Sequence, residues 1–493
     1  MTKDKRYAKI KQNKESSVVC PQANFTAFTE KIMAKIGYLP LYIKLYDDYC
    51  QGMRSGINEY NESVKAALKN EGLNLVAADV CRVKPEFDAA VKEFEAEGVD
   101  CIVTLHLAYS PSLESLGALL STKLPILVLD TTCDYEFTFK AKRNLVNCNH
   151  GIHGVQDMCS VLKRNGRDYK VFTGHYEHSD VINEVANAAK AIACANVMKK
   201  GVKTCLIGGS FEGMGDFAVN DKELSVLGVK KVPFDGATVK KYQDAVTKEE
   251  LRAEYEKDLK TFKEIKVDYD YYERTERVGL GIRKWIAEQG INSFSMNFLR
   301  AGLEEGFGGI PFPEACKAMV RGIGYAGEGD ILTASVLYGF LSEFKNATFA
   351  EMFCPDWAHD EIYFSHMGEC NLTVLKDILL VGHGFPYTPA FDPAGIAGKM
   401  KGGKAALVNI APDGNGSYRM TFTDGEMKEL PDDIGEYTDS VSGWFKPQLP
   451  VAELLKKYSE AGATHHSLLV YGADSESLCC FAKAFGFDYE IIK

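Results

Sequence analysis

The sequence predicts an α/β protein, with two doubly wound parallel-sheet (Rossmann-like) domains followed by a C-terminal β-rich, barrel-like domain. Three observations predict it. The chain has 493 residues, which exceeds one ordinary domain of roughly 100–200 residues. Short apolar runs alternate with amphipathic stretches through the first half, the rhythm of β-α-β units. From residue 370 onward that rhythm gives way to short alternating runs separated by Gly, Pro and Asp, which suit antiparallel strands and tight turns. The expected divisions are 1–172, with 1–35 a leader, then 173–327, then 328–493, with the functional site at the last seam.

The elements follow in order. The opening stretch MTKDKRYAKIKQNKESS is basic and polar with no apolar core after it, so it reads as a mobile leader and not a secretory signal. YLPLYIKLY (38–46) reads as a strand and 50–70 as a helix. LNLVAADV (73–80) is a strand, FDAAVKEFEAEG (87–98) has helical spacing, and DCIVTLHL (100–107) and KLPILVLD (123–130) are strands. Functional groups in such sheets gather at the C-terminal ends of strands. Here those ends are the loops 106–112, 131–136 and 149–157. A second unit opens near residue 170 with the strand YKVFTGHY, followed by the helix SDVINEVANAAKAIACANVMKKG and the strand VKTCLIGG. Residues 249–289 read as largely helical, with a charged first half taken as a solvated face. INSFSMNF (291–298) is a strand, and EACKAMVRGIG is a helix leading into AGEGD. KAALVNIAP, DGNGSYRMTFTDG and DSVSGWF are the antiparallel strands and turns of the third unit.

Composition narrows the function. The chain is 46% hydrophobic and 25% charged, ordinary for a globular protein and too apolar for a disordered one. No apolar run approaches the ~20 residues that span a bilayer, so no membrane role is expected. Fifty-seven basic against 68 acidic residues give a net charge of −11, which argues against nucleic acid as a partner. The 14 cysteines are scattered with no C-x-x-C pair. They read as reduced, mostly buried thiols of a cytoplasmic protein.

Gly213-Met214-Gly215-Asp216-Phe217-Ala218 fits G-x-G-x-x-A, with Asp235 beyond it. A dinucleotide-dependent oxidoreductase is therefore one reading. Against it, Ser210-Phe211-Glu212 separate the strand from the first motif glycine, and Glu212 would repel a pyrophosphate. The preferred reading is a loop that turns the chain and offers Met214 to a pocket.

Stronger chemistry lies between residues 324 and 370. Asp330 stands where the helix ILTASVLYGFLSEF begins and reads as its cap. Glu328 sits just outside that helix between Gly327 and Gly329, which allow a sharp turn that holds the carboxylate inward. The helix dipole favours its ionised form, which a metal ligand requires. Glu351 and His366 follow at intervals of 23 and 15 residues, and His465-His466 stand at the entry to the apolar strand SLLVYG. Two carboxylates with one or two imidazoles form a mixed O/N set suited to Mn²⁺, Co²⁺ or Mg²⁺. Nothing requires Cys354 or Cys370 as ligands.

These residues carry a resemblance to the L-arabinose isomerase family, within the arabinose/fucose isomerase group. Tyr325-Ala326-Gly327-Glu328-Gly329-Asp330 resembles the family's AEGD-type motif. Glu351 stands in F-x-E, Ser365-His366-Met367 follows, and Gly462-Ala463-Thr464-His465-His466 is similar to a GGAHHT-type stretch. Asn149-His150-Gly151-Ile152-His153-Gly154 resembles N-Q-S-A-H-G, and Tyr109-Ser110-Pro111 resembles F-S-P. Met214 and Phe298 fall where the family places pocket side chains.

The resemblance implies an aldose–ketose isomerase using a divalent metal, usually Mn²⁺. Its implied ligands are Glu328, Glu351, His366 and one of the His465/His466 pair, with His466 preferred. Glu328 and Glu351 would also form the acid/base pair, in either order. His153 would reach a sugar bound mainly by a neighbouring subunit of a trimer or hexamer, with His150, Tyr109 and Lys44 on the same sugar-facing loops. Those loops depart from the family. Tyr42-Ile43-Lys44 stands for S-Q-H, His150 replaces a glutamine, and Gly209 to Met214 replaces R-F-G-D-N-M. The expectation is retained metal chemistry with a changed or broadened choice of pentose, hexose or deoxyhexose. A sugar-binding or sensing protein with an inactive site is the remaining alternative.

Overall fold

The computed structural model describes residues 33–142, 145–300, 308–382, 384–388, 390–434 and 439–493. The leader expected over 1–35 lies outside the described residues as far as residue 32. Residues 33–493 form one compact unit.

The first sheet contains β1 (Lys35–Leu41), β2 (Asn74–Ala77), β3 (Cys101–His106), β4 (Ile126–Asp130) and β5 (Lys170–Thr173). All pair in parallel in the order β2-β1-β3-β4-β5. Every residue of β3 and β4 is buried, as a parallel strand covered by helices on both faces requires. The helix Lys84–Glu97 shows the rule for the connections. It opens at a proline and buries Phe87, Ala90, Val91 and Phe94 on one stripe. It ends at Gly98, whose φ of 63° is the left-handed cap geometry.

Two boundaries differ from expectation. The strand read over 38–46 stops at Leu41, and Lys44 opens a short helix, Lys44–Tyr49. A Lys44–Asp48 ion pair at 2.7 Å, spaced i,i+4, suits a helix and not a strand. Lys170–Thr173, expected to open the second unit, is the fifth strand of the first sheet.

The second sheet uses β6 (Val202–Ile207) and β7 (Val229–Val232). A two-residue strand, β8 (Glu264–Ile265), then leaves for the third sheet before β9 (Ser293–Met296) and β10 (Gly324–Ala326) complete the second. The order is β10-β9-β6-β7, again all parallel. β8 divides the stretch 249–289 into the helices Lys248–Thr261 and Tyr269–Gln289. The charged first helix is not simply a solvated face. Glu254 and Asp258 are buried. Lys317 Nζ lies 3.2 Å from Glu254, 2.6 Å from Asp258 and 3.1 Å from Glu276. Arg283 adds a two-pronged bond to Glu254 at 3.0 and 2.7 Å. Charge complementarity between helices turns that face inward.

The third sheet comprises β11 (Ala347–Asp356), β12 (Glu361–His366), β13 (Leu375–Gly382), β14 (Ala394–Met400), β15 (Gly403–Pro412), β16 (Tyr418–Met427), β17 (Val441–Pro447), β18 (His466–Tyr471) and β19 (Asp488–Ile492), together with β8. Six strands close antiparallel in the ring β16-β15-β18-β11-β12-β17, and β17 returns to β16. Closure removes the exposed edges that an open sheet would present. β19 pairs on the outside with β16, while β14, β13 and β8 extend from β17. No helix among the described residues is long and apolar enough to cross a membrane.

Candidate metal centre

Carboxylates and imidazoles converge where the C-terminal edge of the second sheet meets the barrel. Glu328 stands two residues past the end of β10, at a φ of 60° that is unusual for a residue with a side chain. Its flanking glycines make room. A Cβ on Gly327 would stand 2.8 Å from His366 Cε1, and one on Gly329 2.8 Å from the Gly209 carbonyl. Ser295 Oγ donates to the Ala326 and Gly327 carbonyls at 2.6 and 3.1 Å and pins the turn. Asp330 caps the helix Ile331–Leu341 by accepting the Thr333 N–H at 2.8 Å.

The barrel supplies the facing groups. Glu351 on β11 is register-paired with His466 on β18, and His366 ends β12. Phe349 packs edge-on between both imidazoles, with centroids 4.7 Å from His366 and 4.8 Å from His466. His366 Nε2 lies 3.6 Å from Glu351 Oε2. His466 Nε2 lies 3.5 Å, and His465 Nε2 3.7 Å, from Glu328 Oε2. Donor atoms of Glu351, His366 and His466 all fall within 4.8 Å of one another, as do those of Glu328, His465 and His466. His466 belongs to both sets. It is fully buried and its Nε2 has no hydrogen-bond partner.

Each imidazole is backed by a carboxylate. His466 Nδ1 is 2.9 Å from Asp330 Oδ2, and His366 Nδ1 is 2.5 Å from Glu369 Oε2. The other Glu369 oxygen accepts the Tyr325 hydroxyl. Asp216 Oδ2 takes both the His465 N–H at 3.0 Å and Nδ1 at 2.7 Å. Such partners fix ring orientation and leave Nε2 free to bind a cation. Burial works against charge on Glu328, but the His465 and His466 imidazoles outweigh it and hold its carboxyl at about 2. Burial raises Glu351, partly opposed by His366 and His466. Burial also opposes charge on His466, yet the neighbouring carboxylates of Asp330 and Glu328 push it up to about 10. The cluster therefore favours positive charge at its centre. An orphaned buried nitrogen beside two carboxylates, in a mixed O/N donor set, fits a divalent ion.

The expected substrate residues fall in two places. Met214 stands in the loop after β6, and Phe298 follows β9, with its ring 5.5 Å from Phe211 and 5.4 Å from Phe385. Lys44, Tyr109, His150 and His153 instead stand at the C-terminal edge of the first sheet. His150 Nε2 is 2.8 Å from the Tyr46 hydroxyl and its Nδ1 3.3 Å from His153 Nδ1. Tyr109 donates to Asp157 at 3.3 Å, and Lys44 is exposed in its ion pair with Asp48. No hydrogen bond or ion pair among the described residues joins this group to the carboxylate–imidazole cluster.

The G-x-G-x-x-A loop opens no phosphate-binding helix. The next helix is the six-residue Asp221–Val226, capped by Asn220. The loop serves the cluster instead, with Phe217 stacked on His466 at 4.8 Å and 7° and Asp216 holding His465. Among the residues that support the cluster, Asp216, Phe217 and Tyr325 stand inside the motifs with no role that the motifs assign, and Glu369 stands in none. Only the spacing of Glu369, three residues after His366, offered a sequence signal.

Fold and cluster together define an α/β protein with a carboxylate–imidazole cluster, able to hold a cation, between a doubly wound sheet and an antiparallel barrel. The profile of the L-arabinose isomerase N-terminal domain matches residues 47–200. The chain is 26% identical to the L-arabinose isomerase of Pediococcus pentosaceus, over 71% of this chain and 75% of that protein. It is 22% identical to the L-arabinose isomerase of Cellvibrio japonicus, over 90% and 91% of the two chains. For the Clostridium beijerinckii L-arabinose isomerase the identity is 25%, over 79% and 80%. Residues 47–200 thus match the N-terminal domain of L-arabinose isomerases, and the chain is similar to these isomerases over most of its length.

Proposed function

We propose that this chain is a sugar isomerase that interconverts an aldose and its ketose through an enediolate, with a divalent cation, Mn²⁺ or else Co²⁺ or Mg²⁺, at the cluster. The observation that carries the reading is the sharing of His466 between two donor sets that each contain a glutamate. Glu328, Glu351, His366 and His466 would hold the ion, with His465 beside them. Bound there, the ion supplies a Lewis acid that stabilises negative charge developing across the sugar's O1 and O2.

The chain's own groups do the rest. Isomerisation moves a proton from C2 to C1 and another between the two oxygens. Glu328 and Glu351, each in a donor set with His466, form the base–acid pair for these transfers. Phe217 and Phe349 wall the imidazoles and exclude water from their apolar side. Met214 and Phe298 border the pocket, and His150 and His153, with Tyr109 and Lys44, read hydroxyls from a second copy in a trimer or hexamer. Residues 1–172, 173–327 and 328–493 are the three units that build this arrangement, and its setting is the cytoplasm. The altered sugar-facing loops favour a pentose, hexose or deoxyhexose other than L-arabinose, or a wider choice.

A panel of aldoses with Mn²⁺ tests the reading. Ketose should form with at least one sugar, and Glu328→Ala and Glu351→Ala should each abolish it. A chain that bound Mn²⁺ and sugar without turnover would be an inactive sugar-binding protein. Turnover of L-arabinose alone would remove the argument for changed specificity.

A further inference from the structure

A second group of potential metal ligands lies away from this centre, on the turn that follows β5. One donor atom each from His175, Glu177 and His178 falls within 4.8 Å of the others. We propose that this turn is a second metal site, selective for a borderline transition ion such as Zn²⁺.

The local sequence builds the turn before any ion arrives. Gly174 N–H bonds the Asp130 carbonyl at 3.1 Å, and a Cβ on Gly174 would stand 2.4 Å from Ser179 Oγ. The N–H groups of His178 and Ser179 both bond the His175 carbonyl, at 3.1 and 3.0 Å, and Ser179 Oγ bonds it at 2.9 Å. One helical turn results, which puts positions three apart on one side. The two imidazoles accordingly lie 5.0 Å apart and 34° from parallel. Tyr176 anchors the turn from below. Its N–H bonds Thr131 Oγ1 at 3.0 Å and its ring packs against Tyr60 at 5.6 Å.

Two further observations point to a ligand. His175 Nε2 is buried with no hydrogen-bond partner. Tyr135, from the loop after β4, lies over both imidazoles, with centroids 5.3 Å from His175 and 4.2 Å from His178. An aromatic ring over two histidines shields one side and fixes their planes, much as a hydrophobic shell does around metal sites. Around zinc, with bonds of about 2.0–2.2 Å, donor atoms sit roughly 3.3 Å apart. Small rotations of the exposed Glu177 and His178 side chains close the gap. The Glu177 N–H contact to His175 Nδ1, at 3.2 Å, is long enough to yield. Two imidazoles and one carboxylate leave a fourth position for water, the make-up of an open zinc site. Two imidazoles to one carboxylate make this donor set richer in nitrogen than the first, with its two glutamates, so this site would lean further toward a borderline ion.

The test counts metal. An untagged chain dialysed against Zn²⁺ should retain one ion per chain at this turn when the first centre is removed by Glu328→Ala with His366→Ala. Adding His178→Ala, or His175→Ala, should bring that ion to zero while the unfolding midpoint in chelator stays that of the parent. With Co²⁺ instead, the parent should show the visible absorption of a low-coordinate site, lost with His178→Ala. Zinc absent from the Glu328→Ala/His366→Ala chain, or retained after His178→Ala, would overturn the proposal. Failure of the first centre reads differently, since Glu328→Ala/His366→Ala would then leave the metal count of the unmodified chain unchanged.

Discussion

At His366, orientation comes from behind the ring. Glu369 and Tyr325 are both buried and can serve no exposed substrate, yet they fix where Nε2 points. Removing one charge without removing bulk should loosen the metal and not the fold. Glu369→Gln is expected to weaken Mn²⁺ binding by about 10–100-fold, the usual cost of losing such a partner. Calorimetric titration against the unmodified chain measures it, and an unchanged affinity would deny Glu369 that role. A second residue titrates far from the centre. Burial pushes the Glu343 carboxyl up to about 7, with Asp100 adding to the rise and Lys190 opposing it. A folded pKa above the unfolded value contributes stability that is full below about pH 4.5 and is lost as pH rises through about 7. The urea midpoint of Glu343→Gln relative to the unmodified chain should therefore climb from pH 5 to pH 8. A flat difference across that range would refute the linkage.

Among the elements, the helices Lys248–Thr261, Tyr269–Gln289 and Phe312–Val320 are joined by charge as well as by apolar packing. Lys317 is buried among three carboxylates, and Arg283 ties Glu254 to Glu314. Lys317→Met would leave those carboxylates unbalanced, and breaking a buried network from one side costs about 3–5 kcal/mol. Denaturant unfolding should show the loss, and a change within about 0.5 kcal/mol would mean that water already screens the group. This network also shows where sequence reading stops. Strand and helix alternation was legible because burial on both faces makes continuous apolar runs such as CIVTLH. The turn around Glu328 was legible because glycines flank a carboxylate at a helix start. The inward face of Lys248–Thr261 was not, because its partners arise some 60 residues later, as with Asp258 and Lys317. Asp216 was hidden for the same reason, since its partner His465 is 249 residues away. Period and spacing report local structure, whereas ion pairs between distant segments leave no local trace.

Across the whole molecule, the proposed ligand set draws on segments that separate in the unfolded chain: Glu328 after the second sheet, Glu351 and His366 on neighbouring barrel strands, and His466 from β18. Binding only the folded form, Mn²⁺ at about 100 times its Kd should add about 2.7 kcal/mol of stability. Chelator should reverse the rise in unfolding midpoint, and an equal shift in Glu328→Ala/His366→Ala would place the effect elsewhere. The first sheet poses the remaining question, because His150 and His153 stand apart from that centre. Leu113, near Tyr109 in the chain, and Val146 and Ile152, near His150 and His153, are exposed at 73%, 40% and 38%. Large apolar side chains left exposed beside polar groups suit a surface that meets another protein. If the partner is a second copy, His153 of one chain completes the centre of the next. His153→Ala and Glu351→Ala would then damage different halves of each composite site. Each variant alone should lose most ketose formation, but a refolded mixture should recover a fraction of it, since some sites pair an intact edge with an intact centre. A mixture no more active than the two variants separately would confine each site to one chain.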